Sequence, residues 1–257
     1  MSKYRQVAAV FDLDKTIVAT SSALAMHGPL RKAGFLSRSD ALASTLVQLP
    51  YLLFGEAEDR NARMRAQLAR ISHGWNAESV REIVRAATSS SLHPLCYIDA
   101  LDAIEMHRAA GHAIVIASAS PAPLVDPLAA ILGADFTLAT QVEIVNGRLT
   151  GQLDDFNHGG VKAIAVERLA QQQGWDLSQC WAYSDSISDL PLLELVGRPV
   201  AVNPDRQLRK VAKERNWAIR SFTRTVRLRR YRIALPAVGL IGFILAGLAA
   251  RHQLSRR

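Results

Sequence analysis

Cysteine is scarce in this 257-residue chain: only Cys96 and Cys180 occur, far apart and in no metal-ligand or Cys-x-x-Cys spacing. That argues against a disulfide scaffold or a zinc ribbon, and the pair reads as two buried hydrophobes in a reducing compartment. Acidic residues are missing from Arg220 to the end, where nine arginines, Arg220 included, stand alone. Without those nine, 22 basic residues face 23 acidic, so the formal charge of +8 belongs to the tail and the body is near neutral. A nucleic-acid binder carries its positive patch on the folded domain, so no nucleic-acid partner is expected. Charge of either sign is missing from Ile233 to Ala250. As a helix that run would rise about 27 Å, enough for a thin hydrocarbon core. It has no polar face, and Arg227, Arg229, Arg230 and Arg232 stand just before it. A membrane helix over 233–250 is predicted, with a basic linker at 223–232 and a basic tail at 251–257; the alternative is a buried C-terminal helix of the body. The arginine excess before the run places the body in the cytoplasm, tied to the cell membrane. The N-terminal apolar run, Val7–Phe11, is too short for a signal-peptide core, and no signal peptide is expected.

What is present reads as alternating strands and helices. Val7–Phe11, His112–Ala117, Cys180–Tyr183 and Pro199–Val202 are short apolar runs without alternation, as in strands buried on both faces of a parallel sheet. Helical periodicity covers 99–110, with Gly111 as its stop, and 161–173, ending at Gly174. Asn146-Gly147 between 137–145 and 148–153 is a hairpin signal. The interval 20–92 is different. Leu42, Leu46, Leu49 and Leu53, then Met64, Leu68 and Ile71, recur at helical spacing. The expected fold is therefore α/β, a Rossmann-like open parallel sheet formed by 1–19 and 93–222. A helical cap, 20–92, is inserted after its first strand.

Carboxylates gather where such a sheet binds ligands, at the carboxyl ends of its strands. The first strand runs into Asp12-Leu13-Asp14-Lys15-Thr16. One acid there can attack while the other shuttles a proton; the plain alternative is a capped turn. The strand ending at Tyr183 runs into Ser184-Asp185-Ser186-Ile187-Ser188-Asp189. Four acids converging on one crevice would call for a hard cation such as Mg²⁺, while the plain alternative is an N-cap on the next helix. Ser118-Ala119 offers a hydroxyl and backbone N–H groups to phosphate oxygens, or simply caps a helix. Lys162, at a helix start after Gly159-Gly160, is either a surface lysine or a cation facing a transferring phosphoryl group.

Taken together, DxDxT, Ser, Lys and DxxxD in that order resemble the haloacid dehalogenase superfamily, in its phosphoserine-phosphatase-like subfamily with a helical cap. The resemblance covers about residues 5 to 220. It implies that Asp12 is the nucleophile that forms an aspartyl-phosphate and that Asp14 is the general acid, then base. It implies that Ser118, the Ala119 N–H and Lys162 bind phosphate, with Lys162 also reaching Asp12. Asp12, the Asp14 carbonyl and Asp185 would hold Mg²⁺, with Thr16 and Asp189 in support.

Two departures from the family stand out. Serine occupies position 184 where many relatives have glycine, and little effect is expected from it. The glutamate that phosphoserine phosphatases place after DxDxT to pair with the substrate ammonium is missing, since 17–29 holds no acid. Glu56, Glu58 or Asp59 could replace it. The expectation is a membrane-tethered phosphomonoester phosphatase with a substrate at the membrane, such as a lipid phosphate. A phosphatase of phosphoserine or another soluble metabolite is the alternative, and a non-catalytic membrane-anchored scaffold is the alternative of another class.

Overall fold

The computed structural model describes residues 6–36, 66, 69–70, 72–155 and 159–226. Its sheet is built from runs that alternate sides without alternating polarity. In β1 (Ala8–Phe11), Ala8 and Val10 face one core while Ala9 and Phe11 face the other, and all four are buried. Both faces must therefore be covered, which places helices on each side. β2 (Ala113–Pro121) and β5 (Trp181–Ser184) flank β1, both parallel to it, with Phe11 opposite Ile116 and Tyr183. Outward from them lie β3 (Phe136–Val145) on one side and β6 (Arg198–Val202) and β7 (Ala218–Arg220) on the other. Among the described residues seven strands run β4-β3-β2-β1-β5-β6-β7, of which only β4 (Arg148–Asp155) is antiparallel. The Asn146-Gly147 turn that reverses it has both residues at positive φ, 50° and 75°, as a tight hairpin requires.

Between β1 and β2 the described residues include three α-helices. α1 (Ser22–Lys32) and α2 (Ala77–Ala87) pack on each other and share one core with Phe11, Ile114 and Ile116. α3 (Ile98–Ala109) and α4 (Ala122–Ile131) cover the same face. α5 (Gly160–Gln173), α6 (Leu190–Leu195) and α7 (Arg206–Glu214) cover the other, over Ala8, Val10 and Val115. Cys96 and Cys180 are both buried and free, as expected.

The inserted segment leaves and re-enters at one seam. Val18 bridges antiparallel to Cys96, the Tyr97 N–H donates to the Ile17 carbonyl at 2.8 Å, and the Ala19 N–H donates to the Leu95 carbonyl at 2.9 Å. The C-terminal stretch joins this seam. Tyr97 bridges to Thr225, the Ile98 N–H donates to the Arg224 carbonyl at 2.8 Å, and the Val226 N–H donates to the Cys96 carbonyl at 3.0 Å. Residues 224–226, inside the linker expected at 223–232, are thus paired with the body, because their N–H and C=O groups meet the re-entering chain. Among the described residues no helix is long and apolar enough to cross a membrane. The run 233–250, the leucine series Leu42–Leu53, and Met64, Leu68 and Ile71 lie outside the described residues.

Candidate active site

The turn after β1 is tight. Lys15 takes a left-handed φ of 63°, and the Ile17 and Val18 N–H groups both donate to the Leu13 carbonyl at 2.9 Å. This fold-back leaves Asp12 in line with β1, its N–H on the Tyr183 carbonyl at 2.9 Å, and turns Asp14 toward β2 and α1. Burial lifts the Asp12 carboxyl to about 7; Lys162 opposes the rise and Asp189 adds to it.

Lys162 is the third residue of α5 and is 2% exposed, so the surface reading is ruled out. Its Nζ donates to Asp12 Oδ1 and to Asp189 Oδ2, each at 2.8 Å. An ammonium in the first helical turn opposes the helix dipole and loses its hydration. Burial pushes its pKa down, and the two carboxylates more than reverse this, so it stands above the ordinary lysine value. Asp189 takes a second bond on the same oxygen from Ser184 Oγ at 2.7 Å, while its Oδ1 is buried with no hydrogen-bond partner among the described residues. Although Asp189 precedes α6, its side chain makes no capping bond. Its contacts are with Lys162 and Ser184, and Ser184, expected to matter little, anchors it.

Asp14 is held at both oxygens. The Ser22 N–H donates to Oδ1 at 2.8 Å and Ser120 Oγ donates to Oδ2 at 3.1 Å. Burial raises its pKa, and these donors pull the other way. Ser118 is 1% exposed and its Oγ accepts from the Ser120 N–H at 3.1 Å. The following helix α4 has Pro121 at its N-cap and no side-chain capping bond, so Ser118 is not its cap. Ala119 is half-buried, and its carbonyl accepts from Thr140 Oγ1 at 2.6 Å. Thr16 is fully buried, but its hydroxyl has no hydrogen-bond partner among the described residues, so any support it gives the loop comes from packing.

Asp185 follows β5 as Asp12 follows β1, and the two strands are adjacent and parallel, so both acids leave the sheet at one end. The Asp185 carbonyl accepts from the Asp205 N–H at 2.8 Å, and Asp205 Oδ2 accepts from the Ile187 N–H at 2.8 Å, which ties the Asp185 loop to the start of α7. Beside it, the Tyr97 hydroxyl is pushed up by burial; a hydrogen bond with Asn203 works against this and the Asp185 charge adds to it. Among the described residues no three His, Cys, Asp or Glu side chains form a metal cluster. Two carboxylates and one carbonyl, all oxygen, nonetheless fit Mg²⁺, which takes one or two carboxylates and keeps water.

Sequence reasoning placed Asp12, Lys162 and Asp189 in one crevice but missed Ser22, Ser120 and Ser184. Serine or threonine occurs in both acidic motifs and in the Ser118 turn, and only the three-dimensional pairing distinguishes these three. Glu56, Glu58 and Asp59 lie outside the described residues.

A family model described as haloacid dehalogenase-like hydrolase matches residues 9–194. A protein of Streptomyces azureus, named inhibition of morphological differentiation protein, is 42% identical over 98% of this chain and 94% of its own length. Phosphoserine phosphatase SerB1 of Mycobacterium tuberculosis (strain H37Rv) is 37% identical over 96% of this chain and 81% of its own. Among solved structures, a phospho-aspartyl intermediate analogue of phosphoserine phosphatase superposes with a TM-score of 0.62, covering 88% of this chain and 98% of the other at 18% identity, a likeness of fold. With a match that takes in Asp12, Ser118, Lys162 and Asp189 alike, this chain belongs to the haloacid dehalogenase-like hydrolases and is a phosphatase of phosphate monoesters.

Proposed function

We propose that the protein is a magnesium-dependent phosphomonoesterase working through an aspartyl-phosphate on Asp12. The observation that carries this reading is the buried Lys162 ammonium shared by Asp12 and Asp189. In the first displacement an Asp12 oxygen attacks phosphorus, the ester bond breaks, and Asp14 gives the departing alcohol a proton. In the second, Asp14 takes a proton from water as its oxygen attacks phosphorus; inorganic phosphate leaves and the Asp12 carboxylate is restored. Ser118, the Ala119 N–H and Lys162 hold the phosphoryl oxygens. Asp12, Asp185 and the Asp14 carbonyl would hold Mg²⁺, which when bound neutralises charge on those oxygens.

The substrate we propose is a small phosphomonoester of the phosphoserine type, a reading supported by the M. tuberculosis relative. The absence of an acid from 17–29 leaves the substrate ammonium to be matched from elsewhere in the inserted segment. A second reading, a membrane-borne phosphomonoester, is favoured by one observation. The Val226 N–H is hydrogen-bonded to the seam beside the DxDxT turn, seven residues before the charge-free run begins at Ile233. A tether there would keep the crevice near a bilayer with the body on its cytoplasmic side. Specificity constants of the full chain in detergent, for phosphoserine and for dispersed lysophosphatidate, test the two. Preference for phosphoserine is expected; preference for the lipid would replace the first reading with the second.

A further inference from the structure

Ser120 has no part in the roles assigned so far, yet its hydroxyl lies 3.1 Å from Asp14 Oδ2 and 3.1 Å from Ser22 Oγ. Its backbone N–H belongs to the phosphate turn through Ser118 Oγ. Ser22 is fully buried at the first position of α1, and its own N–H holds Asp14 Oδ1 at 2.8 Å. The two oxygens of Asp14 therefore have unlike partners. A backbone N–H can only donate, so it suits an unprotonated oxygen at Oδ1. A hydroxyl both donates and accepts, so it tolerates an oxygen that gains and loses a proton.

We propose that Ser120 is a positioning residue for Asp14, its hydroxyl holding the Oδ2 edge of the carboxyl beside the phosphate turn. With Asp14 ionised, Ser22 Oγ–H donates to Ser120 Oγ and Ser120 Oγ–H donates to Oδ2. Ser120 itself exchanges no proton with the substrate; it fixes where the Asp14 carboxyl points.

The inference rests on Asp14 acting as acid and base, and the test separates the two claims. 4-Nitrophenyl, phenyl and benzyl phosphates form a series whose leaving groups need increasing help from an acid. The full-length chain and its Asp14→Asn, Ser120→Ala and Ser120→Thr variants are compared on all three. Ser120→Ala is expected to lower kcat on benzyl phosphate about tenfold and on 4-nitrophenyl phosphate about twofold, a part of the roughly 10²–10⁴-fold that general acid catalysis contributes. KM should stay level, because the backbone N–H in the phosphate turn is kept. Ser120→Thr, which keeps the hydroxyl, should restore the benzyl rate. Ser120→Cys, close in volume and a weak donor, repeats the test if the alanine variant fails to fold, with the same loss expected. If Asp14→Asn discriminates among leaving groups and neither Ser120 variant does, this inference falls and Asp14 keeps its role. If Asp14→Asn lowers all three equally, the acid role falls and this inference with it.

Discussion

Lys162 Nζ stands 2.8 Å from Asp12 Oδ1 and 2.8 Å from Asp189 Oδ2, with all three side chains at least 89% buried. One cation thus answers two buried carboxylates from different strand ends. Removing it leaves both uncompensated. Lys162→Met should destabilise the fold by about 3–5 kcal/mol, the range for breaking a buried ion pair. It should also cut kcat by at least about a hundredfold, a single electrostatic contact to the transferring group being worth that much. Urea unfolding and single-turnover hydrolysis read the two losses. A variant with normal stability would mean the carboxylates take up protons cheaply.

Asp12→Asn should abolish turnover while the fold persists, since the amide fills the same volume but cannot attack phosphorus. Activity should also stop with EDTA and return with Mg²⁺. Mass spectrometry must exclude deamidation back to aspartate. Near-normal turnover in a verified variant, or indifference to EDTA, would contradict the aspartyl-phosphate route.

His107 should shape acid stability from outside the crevice. Its Nε2 meets the Tyr183 hydroxyl at 2.8 Å and its Nδ1 meets His112 Nδ1 at 2.9 Å. Burial, then His112 and Arg198, hold its pKa down to about 4, against about 6.5 in the unfolded chain. Between those values the unfolded chain binds the extra proton, so stability is full above about pH 6.5 and falls as pH drops toward 4. His107→Gln should flatten that fall in Tm against pH. An unchanged slope would place the acid sensitivity elsewhere.

The C-terminal boundary makes a prediction about truncation. A chain ending at Val226 should unfold at the same denaturant concentration as the full chain, while one ending at 222 should lose about 2 kcal/mol. Two seam hydrogen bonds, at Arg224 and Val226, go with those residues, each worth about 1 kcal/mol. The full chain should fractionate with membranes and resist carbonate extraction; release by carbonate would argue against a spanning helix.

The sheet was legible because its central strands are buried on both faces and so read as unbroken apolar runs, Ala8–Phe11 among them. The hairpin was legible because few residue pairs accept two positive φ values, and Asn146-Gly147 is one. β7 was not, because an edge strand of three residues with Ala218 and Arg220 exposed carries no periodic signal. The acids and Lys162 were legible from type and order. Their partners were not: Ser22 and Ser120 meet across 98 positions, and a serine before Asp185 gives no hint that its hydroxyl reaches Asp189.

The Val18–Cys96 bridge has a consequence for how such a chain can change over generations. Because the inserted segment departs and returns through touching strands, its ends are closed by the body whatever lies between them. Loop closure grows only slowly with length, about 0.6 kcal/mol for each doubling. Residues between α1 and α2 can then be added or lost at little closure cost, while α1 and α2 themselves stay bound to the core under the sheet.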